Sequence, residues 1–146
     1  MTNLVETLPQ IENELAFMLI TVLDRLELSE GIPIILYQGT EDFERMRREK
    51  QGDLCDLTLL CDSINPYEYN CIYLTKNGSY EKHTDVKRFG PKLSISVGQW
   101  TGNKLLIDGE EISDHNRAVI FDGTKVPHET TPHETGLKYN LMFYKF

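Results

Sequence analysis

The sequence predicts an α+β protein that is mainly β: a barrel or double-sheet jelly roll with N-terminal helices packed on one sheet. Three observations carry this expectation. Apolar residues recur at helical spacing through the first third of the chain. From about Tyr69 the texture changes to short runs rich in β-branched and aromatic residues. Turn signals then interrupt those runs at fairly regular intervals, as in closed or two-sheet β folds.

The first helix is expected from Thr7-Leu8-Pro9-Gln10, where Thr stands as an N-cap with Gln three residues on and Pro near the first turn. Leu8, Ile11, Leu15, Met18, Leu19, Val22, Leu23 and Leu26 give it one apolar face, running to about Leu28. Gly31 and Pro33 end it, and Ile34-Ile35-Leu36-Tyr37 reads as a strand. A second helix begins near Thr40. Its Glu41, Asp42 and Glu44 lie at the positive end of the dipole and Arg45, Arg47, Arg48 and Lys50 at the negative end, so this basic run reads as a solvated helix face. Residues 51–69, containing Asn65-Pro66-Tyr67, read as a loop.

Strands are then expected at 70–74, 79–83, 93–97, 104–107, 118–121, 126–130 and 137–144. The breaks between them are Lys76-Asn77-Gly78, Gly90-Pro91, Gly102-Asn103, Asp108-Gly109, Asp122-Gly123 and the stretch 132–136. The organisation expected is a single domain over 1–146, with 1–52 as helical support and 69–146 as the β core.

Composition narrows the function classes. The chain has 146 residues, 40% hydrophobic and 26% charged, as in a soluble globular protein, and no apolar run approaches the ~20 residues of a membrane span. The first residues lack the basic start and apolar stretch of a secretory signal, so a cytoplasmic location is expected. Cys55, Cys61 and Cys71 lack the paired spacing of zinc sites and read as reduced thiols. A formal charge of −8 disfavours gripping a long nucleic acid along its phosphates.

In Tyr80-Glu81-Lys82-His83-Thr84-Asp85, the His and Asp stand two apart, so on an extended segment both side chains leave one face. A second imidazole would complete the two-His-one-carboxylate face of non-haem iron(II). His115 lies in a polar turn and reads as a surface residue, and His133 lies inside the 132–136 turn. His128 sits in an extended segment expected to pair with the strand after that turn, and a strand-held ligand defines a coordination face better than a loop-held one. His128 is therefore favoured over His133. Lys138 follows ten positions later and shares a strand face with Asn140 and Met142; a buried lysine there calls for an anion opposite.

The stretch 73–144 resembles the double-stranded β-helix core of iron(II)/2-oxoglutarate oxygenases, through His83-x-Asp85, the distal His128 and the basic Lys138. Within that superfamily it is most similar to the thymine and 5-methylcytosine oxygenases of the base-J-binding and ten-eleven-translocation group. That similarity rests on Gly98-Gln99-Trp100-Thr101-Gly102-Asn103-Lys104-Leu105, Val119-Ile120-Phe121-Asp122-Gly123 and His128-x-x-x-Pro132-x-x-x-Gly136-x-Lys138-Tyr139, in that order.

The resemblance implies that His83, Asp85 and His128 bind Fe(II) and that Lys138 pairs with the distal carboxylate of 2-oxoglutarate. Asn140 and Tyr73 are implied as further co-substrate contacts. The implied chemistry consumes O2 and turns 2-oxoglutarate into succinate while a prime substrate is hydroxylated. Two departures blur the subfamily: Lys138 stands where the group usually has Arg, a lysine being what collagen-type prolyl 4-hydroxylases use there, and Gly102-Asn103 replaces a Gly-Gly pair.

Lys82, Lys87, Arg88 and Lys92 form a basic cluster near the expected mouth, read equally as a solvated loop or as an attractor for a substrate's phosphate or carboxylate. Trp100 reads first as a core or rim residue and second as a substrate stacker. No Gly-x-Ser-x-Gly elbow and no phosphate-binding glycine loop is present. The expectation is thus an oxygenase acting on a nucleobase, nucleotide or short single-stranded nucleic acid. A peptidyl (prolyl-type) hydroxylase and a catalytically silent ligand- or protein-binding module are the alternatives.

Overall fold

Two long antiparallel strands form the spine of the molecule, β4 (Lys92–Gly102) and β9 (His133–Tyr144), paired from Leu93↔Phe143 to Gly102↔His133. This is a computed structural model, which describes residues 5–86 and 90–146. The pleat sorts the spine's side chains. Leu93, Ile95 and Val97 of β4 and Tyr139, Leu141 and Phe143 of β9 face the helices and join the main hydrophobic core. The alternate set, Lys92, Ser94, Ser96, Lys138, Asn140 and Met142, falls on the opposite face, as the period of two requires. Five of those six are polar, and all five are buried. A buried polar face on a central strand pair is costly unless its groups are partnered, and it marks the interior that holds the site.

The six-stranded sheet runs β1-β7-β4-β9-β3-β2, with β1 at Val5–Thr7, β2 at Ile34–Tyr37, β3 at Cys71–Lys76 and β7 at Val119–Phe121. A second sheet, ordered β6-β5-β8, is built from β5 (Leu105–Ile107), β6 (Glu110–Glu111) and β8 (His128–Thr130). Asp108 and Gly109, at φ 53° and 80°, make the tight turn between β5 and β6. Leu105, Ile107, Val119, Phe121 and Val126 form a second apolar cluster.

The helices cover the outer face of the large sheet. Helix α1 (Asn13–Arg25) buries Ala16, Leu19, Val22 and Leu23, and the Tyr139 hydroxyl donates to Asp24 across the layer at 2.6 Å. Helix α2 (Glu41–Glu49) begins as expected at Thr40, whose Oγ1 accepts from the Phe43 amide at 3.2 Å.

Several expectations give way to the structure. Thr7 is not a helix cap: it lies in β1 opposite Val119, and the amides of Leu8 and Ile11 continue the pairing to Ala118 and Asn116. Pro9 explains this, because the residue before a proline is pushed out of the helical region. The helix starts only at Asn13.

Residues 51–69 are not a loop either. Helix α3 (Gln51–Ile64) occupies most of them and buries Leu54, Leu57, Leu60, Cys61 and Ile64, a helical period that extends the support beyond residue 52. The segment 79–83 forms no regular strand; His83 alone bridges to His128. The 132–136 turn is shorter than expected, since β9 starts at His133 and Gly136, at φ 85°, pairs with Trp100 inside the ladder. No helix among the described residues is long and apolar enough to cross a membrane.

Candidate metal centre

The two histidines of the site are cross-strand partners. His83 donates its amide to the His128 carbonyl at 3.1 Å and His128 returns the bond at 2.9 Å, which sets their ring centroids 4.4 Å apart. This corrects one expectation: β8 pairs with β5, through Ile107↔His128, and with His83, not with the strand after the turn. The Asp85 amide donates to the Gly123 carbonyl at 2.8 Å, placing the carboxylate beside both rings.

The tautomers follow from the backbone. His83 Nδ1 lies 2.7 Å from the Glu81 carbonyl and His128 Nδ1 lies 3.0 Å from the Val126 carbonyl, so each Nδ1 carries the hydrogen and donates it. Both Nε2 lone pairs therefore point inward. Asp85 Oδ1 is 3.4 Å from His83 Nε2 and 3.3 Å from His128 Nε2, and the three ligand atoms lie within 4.8 Å of one another. Two imidazoles and one carboxylate on one side leave the opposite side open, which is the donor set suited to iron(II).

Gly123 is part of the same construction. A Cβ there would strike Asp85 Oδ2 and stand 2.8 Å from Cγ and 2.9 Å from His128 Cε1. Tyr80, packed edge-on to His83 at 5.2 Å and to His128 at 5.9 Å, walls the other side.

Beside the triad lies a cavity of about 150 Å³ whose lining includes Tyr73, Tyr80, Ser94, Asp114, Lys138 and Asn140. Lys138, Asn140 and Met142 share this face, as their spacing predicts. Lys138 is 3% exposed, and burial pulls its pKa down while the charge of Asp114 pulls it up. Its Nζ donates to the carbonyl of Asn103 at 2.9 Å and to Asn103 Oδ1 at 3.0 Å, with the Trp100 ring 5.2 Å away. Asn140 Nδ2 donates to the hydroxyls of Ser94 and Ser96.

A second hollow of about 450 Å³ opens over His83 and Asp85, lined by Ile35, Cys71, Tyr73, Val86, Tyr144 and Phe146. Tyr73 lines both spaces.

Of the expected basic cluster, Lys92 is not a surface residue. Lys92 is 3% exposed, with Nζ 3.2 Å from Asp85 Oδ2 and 3.2 Å from His128 Nε2, so it is committed inward. Lys82 is exposed, while Lys87 and Arg88 lie outside the described residues. Trp100 is half-buried against Lys138 and His115 and lines neither hollow at the triad. His115 is exposed as expected, and His133 is turned away to Asn103 and Gly136.

Sequence reasoning missed Tyr80, Asn103, Asp114 and Gly123. Only the two asparagine and glycine positions carried a signal, as turn residues; nothing in the pattern placed Tyr80 or Asp114 inside.

No protein-family model matches the sequence, and no curated protein does. Solved structures do match. NgTET1 in complex with 5mC DNA shares the fold at TM-score 0.69 with 10% identity, over 97% of this chain and 72% of that one. A Pseudomonas putida prolyl-4-hydroxylase matches at TM-score 0.63 with 13% identity, over 99% and 93%. The viral collagen prolyl hydroxylase of Paramecium Bursaria Chlorella virus-1, in its 2OG complex, matches at 0.58 with 12% identity, over 98% and 96%. At these identities the likeness is one of fold.

Proposed function

We propose that the chain is an iron(II)- and 2-oxoglutarate-dependent oxygenase, its two sheets forming a double-stranded β-helix, and that it hydroxylates a nucleobase, nucleotide or short single-stranded nucleic acid. The observation that carries this reading is the convergence of His83 Nε2, His128 Nε2 and Asp85 Oδ1 beside a cavity with Lys138 in its lining.

The residues fit the groups they would hold. Both imidazoles are fixed as lone-pair donors, and Gly123 leaves the ligands the room that a side chain would take. Iron(II) and 2-oxoglutarate, when bound, supply oxidative decarboxylation to succinate coupled to hydroxylation of the prime substrate. Lys138 would face the distal carboxylate, with Tyr73 and Asn140 along the same cavity wall. The hollow over His83 and Asp85 is walled by Tyr73, Tyr144 and Phe146, which favours a flat ring over an extended charged surface. The charge of −8 favours a small or flexible substrate over a long duplex.

A peptidyl, prolyl-type hydroxylase is the second reading, supported by lysine at position 138 and by the likeness to prolyl hydroxylases. Nucleotides, short oligonucleotides and proline-containing peptides, each scored for stimulated succinate release with iron(II) and 2-oxoglutarate, separate the two. Stimulation by peptides alone would sink the nucleobase reading. If anaerobic titration detects no binding of iron(II) with 2-oxoglutarate, a silent binding module remains.

A further inference from the structure

Apart from His128, three charged side chains are buried among the described residues: Lys92, Asp114 and Lys138. Lys138 and Asp114 line the inner cavity. Lys92 instead projects from the first residue of β4 into the metal centre. Its Nζ lies 3.2 Å from Asp85 Oδ2, 3.2 Å from His128 Nε2 and 3.4 Å from the Tyr144 hydroxyl, and it stands 5.1 Å from the centre of the Phe121 ring.

These contacts divide the ligand atoms unequally. Asp85 turns Oδ1 to both imidazoles and gives Oδ2 to Lys92. His128 has its hydrogen on Nδ1, committed to the Val126 carbonyl, so Nε2 has one lone pair, and Lys92 takes it. That lone pair can serve the ammonium or a metal ion, not both. We propose that Lys92 is a resident cation of the metal centre, which satisfies Asp85 and His128 in the metal-free protein, opposes a divalent ion bound alone, and is accommodated when a dianion lies beside that ion. This rests on the oxygenase reading above and adds to it a coupling between metal and dianion set by one residue of this chain.

The charge balance supports the same conclusion. Among the described residues of the centre and the cavity beside it, two carboxylates, Asp85 and Asp114, stand against two amino groups, Lys92 and Lys138, and their formal charges cancel. A divalent ion alone leaves two positive charges uncompensated, and on the side of Lys92, which is 3% exposed, the repulsion is poorly screened. A dicarboxylate such as 2-oxoglutarate restores neutrality. Metal and dianion therefore tighten one another's binding, and by linkage each does so by the same factor. Lys92 supplies a defined part of that coupling, beyond what chelation alone would give.

The test is calorimetric titration of the full chain with Co(II), as an oxygen-stable probe, with and without 2-oxoglutarate, in wild type, Lys92→Met and Lys92→Gln. Met fills the space between the Phe121 and Tyr144 rings without charge; Gln keeps a donor for Asp85. Both variants are expected to bind Co(II) alone on the order of tenfold more tightly than wild type, and to gain correspondingly less from 2-oxoglutarate. Co(II) affinity that is unchanged or weaker in the variants overturns the proposal while leaving the oxygenase reading intact. Failure of both variants to fold also overturns it, because Lys92 would then be a packing residue. If Co(II) binds none of the three proteins with or without 2-oxoglutarate, the metal centre itself falls.

Discussion

Gly123 lies so close to Asp85 that a Cβ would strike Oδ2, with Cγ 2.8 Å away and His128 Cε1 2.9 Å away, while its carbonyl holds the Asp85 amide at 2.8 Å. The glycine is at once the anchor of the carboxylate and the space it occupies. Gly123→Ala is therefore expected to displace Asp85 and reduce Co(II) affinity on the order of a hundredfold, as loss of a ligand would. The fold should persist, because the turn sits at the rim of the small apolar cluster. Calorimetric titration alongside circular dichroism checks this; wild-type affinity in the alanine variant would show that the carboxylate is held from elsewhere.

Asn103 is the partner that aims Lys138. It is fully buried, adopts φ 49°, and offers both its backbone and side-chain oxygens to the ammonium while its own Nδ2 donates to the Gly78 carbonyl at 2.9 Å. Lys138→Met should abolish measurable 2-oxoglutarate binding. Asn103→Gly, which keeps the backbone conformation and the carbonyl, removes one charged hydrogen bond, a loss of about 1.5–3 kcal/mol or roughly tenfold to a hundredfold in 2-oxoglutarate affinity. Competition with a labelled co-substrate measures both. If the glycine variant binds normally, Asn103 is a turn residue and nothing more.

How far the sequence speaks depends on the range over which each feature is set. The His83, Asp85 and His128 cluster was legible because His83 and Asp85 are two apart on an extended segment, and because His128 lies where a strand can hold it. The polar inner face was legible at Lys138, Asn140 and Met142 for the same reason of period. Helix α3 was hidden by the turn residues at its end: Asn65-Pro66 dominated a segment whose Leu54, Leu57, Leu60, Cys61 and Ile64 repeat at helical spacing. Lys92 was misplaced because a lysine in a basic run reads as solvated. Its burial is decided by Asp85, which is brought to it by the pairing of His83 with His128 and by the bond of its own amide to the Gly123 carbonyl. Asp114 was invisible for a similar reason, since its partner Ser96 is supplied across the fold at 2.7 Å.

The metal-free centre is expected to carry a pH dependence through His128. Burial pulls the pKa of this imidazole below its ordinary range, and the neighbouring Lys92 charge adds to that; the Val126 carbonyl and Asp85 act against it. The folded chain thus binds this proton less readily than the unfolded chain. The stabilising contribution is complete above the unfolded value, about 6.5, and is lost as pH falls from there down through the folded value, at up to about 1.4 kcal/mol per pH unit. Urea unfolding in the presence of chelator, at pH 7.5 and 5.5, should show wild type losing more stability than His128→Gln (both pH values are about one unit either side of 6.5). Equal losses would mean that the imidazole binds its proton as readily in the folded chain as in the unfolded one.

The contact between Tyr139 and Asp24 sits on the far side of the same strand that carries Lys138 and Asn140, and this separates stability from function. The phenol donates to Asp24 at 2.6 Å, and burial, then this hydrogen bond, hold its pKa well above the ordinary range, so it stays a donor throughout the working pH. It ties α1 to β9 from the helix side, whereas the cavity lined by Lys138 and Asn140 opens on the other. Tyr139→Phe keeps the ring and removes the hydroxyl, leaving the half-exposed Asp24 free to turn to water. The expected cost is about 1 kcal/mol, in the range for a single hydrogen bond to a charged group whose partner can be resolvated. Chemical denaturation should register that loss, while Co(II) and 2-oxoglutarate affinities remain those of wild type. A parallel fall in 2-oxoglutarate affinity would mean that strand β9 transmits the docking of α1 to Lys138, and that the helical layer tunes the site it was thought only to cover.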